Sequence, residues 1–444
     1  MLNKIRIKNF KCLKDTGYIL IKPLTFFVGP NSSGKSSIKQ FLSMLKQTVN
    51  SSNLSPLNTK PDLIDLGTYS DFIFRKNLNN QLSFEFEYDI KFESKLAKEF
   101  KTEPVTKVFF EATFYCDKKT LQVKLKEYKN SIKNCYEHVK LNTKSMKYIA
   151  EVGYLDERDN KFTKTKIGVR SLKKFYDFFP SIPTITKKKR EKLISNKKAP
   201  LLTILPTSLE NILKELFFFG PLREFPQRYY ITKGETAEDV GLKGEKAVDI
   251  LWYSKISKQP NDLMKKLQYW LKELNIARSV KLNTLLKGYM YSLNLKDTKL
   301  QTSVNISDVG FGASQVLPMI IECFFARRWS TLFFEQPEIH LHPRAQSILG
   351  DLFIRSIQDG PKRIIIETHS EHILSRIRRR IAEDKLKKED VAIYYFEPTT
   401  QGSNISEVII NDFGQYEQSP EGFWEEGFDE SYEIMKNVSK RREK

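Results

Sequence analysis

The sequence predicts an α/β fold with a parallel-sheet core split between the two ends of the chain and an antiparallel β lobe and a helical insertion between them. Three observations predict it. A strand, a glycine loop and a helix follow one another within the first fifty residues. Short, wholly apolar runs alternate with helical patterns after residue 300. The interval between shows period-two patterning and then helical patterning.

Leu2, Ile5, Ile7 and Phe10 mark an opening strand, and Leu24 to Val28 a second, apolar one that stops at Gly29-Pro30. Ile38, Phe41, Leu42 and Leu45 then fall at helical spacing over 36–48, and residues 50–61, rich in Asn, Ser and Pro, read as a loop. Residues 1–80 are therefore expected to form the first half of the core. Alternating segments such as 82–88, 108–114 and 121–125 predict the antiparallel lobe over 81–170. Mostly helical periodicity, broken by Lys187-Lys188-Lys189-Arg190, at Gly220-Pro221 and at 241–244, predicts the insertion over 171–300. Thr331 to Phe334, Arg363 to Ile366 and Val391 to Phe396 return as short buried strands, so 301–400 reads as the second half of the core, and 401–444 as an acidic, then basic, tail. No repeat or heptad array of useful length is present.

The chain has 444 residues, enough for two or three domain-sized units and an ample core. Its apolar runs fall far short of the roughly 20 residues that span a bilayer, and its first residues lack a signal-peptide block, so a cytoplasmic protein is expected. Cys12, Cys116, Cys135 and Cys323 show no metal or disulfide spacing and suit a reducing compartment. The 74 Lys and Arg against 54 Asp and Glu leave a net charge of +20, which points to a polyanionic partner such as nucleic acid or to a lysine-rich composition alone. The span 117–200 holds 23 of the basic residues against nine acidic ones, so most of the excess lies away from both ends.

Gly29-Pro30-Asn31-Ser32-Ser33-Gly34-Lys35-Ser36 fits G-x-x-x-x-G-K-[ST] at every fixed position. Glycines let the backbone wrap close to an anion, its N–H groups and the following helix N-terminus supplying donors. Lys35 reaches the β- and γ-phosphates of ATP, and the Ser36 hydroxyl can ligate Mg²⁺. Such a site also needs an acid at the end of an apolar strand, and Thr331-Leu332-Phe333-Phe334-Glu335 supplies Glu335 as the metal-side carboxylate. The chain continues Gln336-Pro337-Glu338-Ile339-His340-Leu341-His342-Pro343. About 25 residues on, the apolar strand Arg363-Ile364-Ile365-Ile366 leads through Glu367-Thr368 to His369-Ser370. Upstream, Ser307 to Leu317 forms a glycine turn into an apolar helix whose N-terminus could receive a γ-phosphate.

This order of motifs resembles the ABC-type ATPases of the SMC, RecF and OLD kind, over about 1–75 and 300–400. Ile5-Arg6-Ile7-Lys8-Asn9-Phe10-Lys11 also looks like that group's opening strand. The resemblance implies a P-loop NTPase with an ABC-ATPase-like head. In it Gly310 to Gln315, with Gly310, Gly312 and Ser314, would be a signature segment presented in trans, and ATP would be sandwiched in a head-to-head homodimer or higher even oligomer. It also implies that His369 is a switch histidine near the γ-phosphate and that Asn31, Ser32, Ser33, Gly34, Lys35, Ser36 and Ser37 form the phosphate cradle. Two departures stand out: Gly310 where the group commonly has serine, and Gln336 where it commonly has a second acid. A glutamine orients water but cannot accept its proton, so slow hydrolysis is expected, with Glu338 the fallback base unless it serves only as a cap or ion-pair residue.

Other residues read two ways. His340 and His342 lack a third ligand at a standard spacing, so a turn at the dimer face is preferred to a metal pair. Arg223, in Phe218-Phe219-Gly220-Pro221-Leu222-Arg223, reads equally as a phosphate clamp or as a surface residue beside a proline turn. Arg376, Arg378, Arg379 and Arg380 either touch phosphates or solvate their helix, the second being favoured. No Toprim-like acidic block and no nuclease motif follow His369, so any cleavage would come from a partner. The resemblance then points to ATPase subunits of bacterial anti-phage defence, of the Septu, Gabija and PARIS sort, with an effector encoded nearby. The alternative is a RecF-like DNA repair ATPase. A transporter ATPase ranks third, because L-S-G-G-Q and a membrane segment are both missing.

Overall fold

A computed structural model describes residues 1–51, 55–60, 62–91, 103, 105–132, 135–142, 147–156, 161–169, 208–231, 237–256, 262–286, 289–296, 302–418 and 435–436. Two large sheets organise it. Strands β1 (Leu2–Phe10), β2 (Leu13–Asp15), β3 (Ile19–Leu20), β5 (Leu82–Lys91), β6 (Val105–Asp117), β7 (Gln122–Ile132), β8 (Cys135–Asn142), β9 (Lys147–Asp156) and β10 (Lys161–Val169) form an antiparallel sheet in the order β10-β9-β8-β7-β6-β5-β1-β2, with β3 on β1. Strands β4 (Leu24–Val28), β11 (Leu216–Phe219), β16 (Thr331–Glu335), β17 (Arg363–Glu367), β18 (Val391–Thr399) and β19 (Gly402–Glu407) form the second, in the order β11-β16-β17-β4-β18-β19. All of it is parallel except β19. A small sheet of β12 (Tyr230–Ile231), β13 (Ser279–Leu286), β14 (Met290–Lys296) and β15 (Ser303–Asn305) stands beside them.

Side-chain patterning explains the two kinds of sheet. Every residue of β4 is buried, as expected of a parallel strand covered on both faces. In β6 exposed and buried residues alternate, as in a sheet with one wet face. Helix α1 (Lys35–Asn50), which follows the glycine loop, lies in the core between the two sheets. Its Phe41 meets Phe10 of β1 at 5.3 Å and Phe84 of β5 at 5.2 Å between ring centroids. The parallel strands send Phe218, Phe333 and Ile365 into that core. The alternate residues Phe219, Phe334 and Ile366 join a second core with helices α2 (Ala247–Ile256), α3 (Leu263–Glu273), α4 (Phe311–Phe325), α5 (Pro343–Gln358) and α6 (Glu371–Ala382). Burying each such phenylalanine contributes roughly 2–3 kcal/mol.

Two expectations change. The opening strand pairs with β5, so the antiparallel sheet draws on residues from Leu2 onward and its strands do not begin at residue 81. The described part of 171–300 is not a helical insertion: β11 belongs to the parallel sheet, and β12 to β14 flank α2 and α3. The run Leu216 to Phe219 is too short for periodicity to separate a buried strand from a helix turn. Lys187 to Arg190 and most of the tail lie outside the described residues. No helix among the described residues is long and apolar enough to cross a membrane.

Three ionisable side chains sit deep in this packing. Lys46 donates to the Leu216 carbonyl and Lys362 to the Cys323 carbonyl at 2.7 Å, while Glu322 takes the Val240 N–H at 2.9 Å and its Oε1 has no partner among the described residues. Burial pushes the Glu322 carboxyl up to about 8. A carboxyl raised in the folded state stabilises the fold fully below its unfolded value and loses that contribution as pH rises through the folded one. Stability should therefore fall between about pH 5 and pH 8, at about 1.4 kcal/mol per pH unit as an upper limit. Glu322→Gln should flatten this dependence and melt higher than wild type at pH 8.5; parallel melting curves across that range would contradict it.

Candidate functional site

The three middle strands of the parallel sheet end level with one another. Glu335 pairs in register with Glu367, and Glu367 with Phe27 of β4. The glycine loop therefore leaves β4 beside two strand-end carboxylates. Gly29 has φ 134°, and a Cβ there would lie 2.2 Å from the Phe396 carbonyl oxygen of β18. Gly34, at φ 102°, would put one 2.6 Å from Ser403 Oγ and 2.7 Å from Cys12 Sγ. Only glycine fits at either position. The loop turns back on itself so that Lys35, buried at the start of α1, donates to the Gly29 carbonyl at 2.9 Å and the Pro30 carbonyl at 2.7 Å. Burial lowers the Lys35 pKa, and Glu367 opposes that shift.

The next residue reaches the acids. Ser36 Oγ donates to Glu367 Oε1 at 2.8 Å, while Lys39, one turn further along α1, forms an ion pair with Glu335. Burial pushes Glu367 up to about 7, the Ser36 bond pulls it down, and neighbouring Glu335 raises it. Its Oε2 is buried and has no partner among the described residues. The cleft enclosed here has a volume of about 360 Å³ and is lined by residues 31–37, Glu335, Gln336, Glu367 and His369, with Lys11, Cys12 and Gln40 at its side. Lys11 donates to Gln40 at 2.5 Å.

The loop residues 31–37, Glu335, Gln336 and His369 are thus brought together as expected. Gln336 sits at φ 45° and donates its N–H to the Glu367 carbonyl at 2.7 Å, which ties the end of β16 to the end of β17. Burial and then Lys35 hold the His369 imidazole below its ordinary value, so it is neutral at pH 7 and can both donate and accept. Glu338 does not line the cleft. It is buried, its Oε1 accepts the His369 N–H at 2.7 Å, and the base reading is corrected to that of a residue behind the histidine. Gly310, Gly312 and Ser314 also lie off the cleft, at the start of α4, where Gly310 is exposed.

The remaining candidates resolve as well. His342 caps α5, its Nδ1 accepting from the Arg344 N–H at 3.3 Å, and among the described residues no three His, Cys, Asp or Glu are grouped to hold a metal. Arg376 and Arg380 pair with Asp351, Arg379 with Glu383, and Arg378 donates to the Gly414 carbonyl, so this run serves packing and solvation. Arg223 is not a surface residue, being 8% exposed, and it donates to Gln315 at 2.9 Å; nor does it line the cleft, as a phosphate clamp would. Sequence reasoning missed Glu367 and Lys11. Arg363 to Glu367 has the same form as Thr331 to Glu335, an apolar run ending in an acid, and that signal could have found Glu367.

A family model described as an AAA ATPase domain matches residues 1–374. The chain belongs to this AAA ATPase domain family. No curated protein matches it. Among solved structures, it is similar to an SMC head bound to the C-winged helix domain of ScpA, at 11% identity over 93% of this chain and 98% of that one, with a TM-score of 0.48. A Pyrococcus furiosus SMC head with an extended coiled coil, bound to the C-terminal domain of ScpA, matches at 10% over 99% of both chains with a TM-score of 0.41. The SMC head domain from Thermotoga maritima matches at 12% over 92% and 99%, with a TM-score of 0.36.

A magnesium nucleotide fits the AAA domain's cleft. The glycines at 29 and 34 leave the loop backbone free to approach phosphates, and Ser36, Glu335 and the unpartnered Oε2 of Glu367 are hard oxygen donors of the kind Mg²⁺ takes, the nucleotide supplying others. Lys35→Ala should raise the Kd for Mg-ATP at least a hundredfold, about 2.7 kcal/mol, in a fluorescent-nucleotide titration with the melting temperature kept. Unchanged affinity would refute the assignment of the loop.

Proposed function

We propose that this chain hydrolyses ATP to ADP and phosphate slowly, and that two copies clasp the nucleotide head to head so that its presence controls a partner. The observation that carries this reading is the level ending of β4, β16 and β17, which gathers phosphate loop, Ser36, Glu335, Glu367 and His369 on one sheet edge. Lys35 and the loop N–H groups bind the β- and γ-phosphates, and Ser36 with the strand-end carboxylates holds Mg²⁺. Bound Mg²⁺ would supply charge neutralisation on the phosphate oxygens. His369 stands neutral at the cleft, suited to a hydrogen bond with a γ-phosphate oxygen or a water. Gln336 can orient that water without taking its proton, which is the basis for slow turnover.

The start of α4, exposed at Gly310, is the proposed trans contact. It is a fifteen-residue helix with no acid in its first turn, so its positive end is open to an anion from outside the chain. Coupling to an effector in anti-phage defence is the use we favour, since a slow nucleotide clamp suits the control of a toxic activity carried by another protein. The surplus of 23 basic over nine acidic residues in 117–200 favours a second reading, a RecF-like ATPase that binds DNA directly. Loading onto gapped DNA without any partner would select it.

Gly310 gives a clean test. Its φ of −56° is ordinary, and a Cβ there meets nothing within 4 Å, so its own chain does not require glycine. Gly310→Trp should melt with wild type and bind Mg-ATP within threefold. It should lose ATP-driven dimerisation in sedimentation and at least tenfold in ATPase rate. Wild-type dimerisation by this variant would overturn the sandwich.

A further inference from the structure

The phosphate-loop helix carries a lysine that neither phosphate binding nor metal binding uses. Lys39 stands three residues after Ser36 and four after Lys35, so the three side chains share one stripe of α1. Ser36 turns to Glu367, and Lys39 turns to Glu335, the acid that ends β16. The pair is half-buried, the Lys39 side chain being 14% exposed and that of Glu335 15%. Glu335 lines the cleft, whereas Lys39 is not among the lining residues. The lysine thus holds the acid from outside the cavity, clear of the path a nucleotide must take.

The balance of charge gives this placement a consequence. Glu335 and Glu367 are met by two lysines from α1, Lys35 and Lys39, with Lys11 at the side of the cleft. Lys35 and Lys39 are a like-charge pair at i and i+4, which costs a helix stability unless acids stand close. The field of Lys39 reaches past its own partner, since it lowers the pKa of Glu367 as Lys35 does. A bare Mg²⁺ adds two positive charges to a cluster that is already compensated, and like charges in a half-buried site repel more strongly than in water. The chain also offers few ligands of its own: Mg²⁺ demands near-octahedral oxygen coordination, and among the described residues no three of His, Cys, Asp and Glu are grouped to hold an ion. A metal that arrives with ATP brings both phosphate oxygens and negative charge.

We propose that Lys39 is a positioning residue acting through Glu335, a tethered cation that satisfies the metal-side carboxylate from within the chain and so makes Mg²⁺ binding depend on the nucleotide. The inference rests on the assignment of the metal to Ser36, Glu335 and Glu367 above. It keeps the strand-end acids compensated without the ion, so the fold around them does not require metal. Arginine in place of Lys39 keeps that charge, while a neutral residue leaves Glu335 free to attract the bare ion.

Titration of the nucleotide-free full chain with Mn²⁺ as a probe for Mg²⁺, followed by the electron paramagnetic resonance of the free ion, tests this without turnover. Lys39→Met should bind Mn²⁺ at least tenfold more tightly than wild type, and Lys39→Arg within threefold of wild type. The gain should vanish when Lys39→Met is combined with Glu335→Gln, as an effect exerted through that carboxylate requires. In EDTA Lys39→Met should melt below wild type, and millimolar Mg²⁺ should restore it while leaving wild type unmoved. If Lys39→Met does not fold without metal, Lys39→Gln, which keeps a hydrogen-bond donor for Glu335 but no charge, should show the same gain. Mn²⁺ bound no more tightly by the neutral variants, a gain that survives Glu335→Gln, or a loss of fold that Mg²⁺ does not restore would overturn the proposal. Wild type that binds ATP equally well with and without Mg²⁺ would instead take down the metal assignment, and the proposal with it.

Discussion

The common finishing line of β16, β17 and β4 is the constraint from which the site follows. Parallel pairing sets Glu335, Glu367 and Phe27 side by side, two residues before the glycine loop turns away. A slip of one residue in any of these strands would exchange its two faces, driving Phe333 out of one core and Phe334 out of the other. The register is therefore held by apolar packing on both faces of the sheet. The carboxylates inherit their positions from phenylalanines and isoleucines that never touch the cleft.

That placement creates an electrostatic problem which the loop answers. Two acids on adjacent strand ends repel each other, and burial adds to the cost of charging Glu367. Ser36 bonds one and Lys39 the other, while Lys35 draws in from the loop. All three come from the first turns of α1, whose Phe41 is locked between the sheets. The antiparallel sheet thus matters to the site although none of its strands carries a cleft acid: it is the wall against which the phosphate-loop helix is pressed.

Much of this was legible in the sequence, for a physical reason. The phosphate loop and the strand-end acid are local patterns in which residue type, spacing and strand-to-helix context must agree, so 29–36 and Glu335 could be read without a structure, while His369 followed from the family resemblance that those motifs carry. What escaped depends on direction or on distant partners. Glu338 lies three residues after Glu335, yet the turn through Gln336 and His340, both at positive φ, aims it behind the histidine. Arg223 sits in a proline turn that resembles a surface loop, but its acceptor comes from 92 residues further along the chain. Leu2 to Phe10 was plainly a strand, whereas its pairing with β5 across an entire helix was not written in its alternation. Glu367 carried the right signal and was passed over because an acid at the end of β16 already filled the role.

The site, then, is an edge of three strands faced by a glycine loop, with Glu338 held behind its histidine. A structure of the full chain with Mg²⁺ and a non-hydrolysable ATP analogue tests the central claim most directly. The account predicts phosphates inside residues 29–36 and the metal bound by Ser36 Oγ on the side of Glu335 and Glu367. Phosphates held elsewhere, or a metal away from that strand edge, would contradict it.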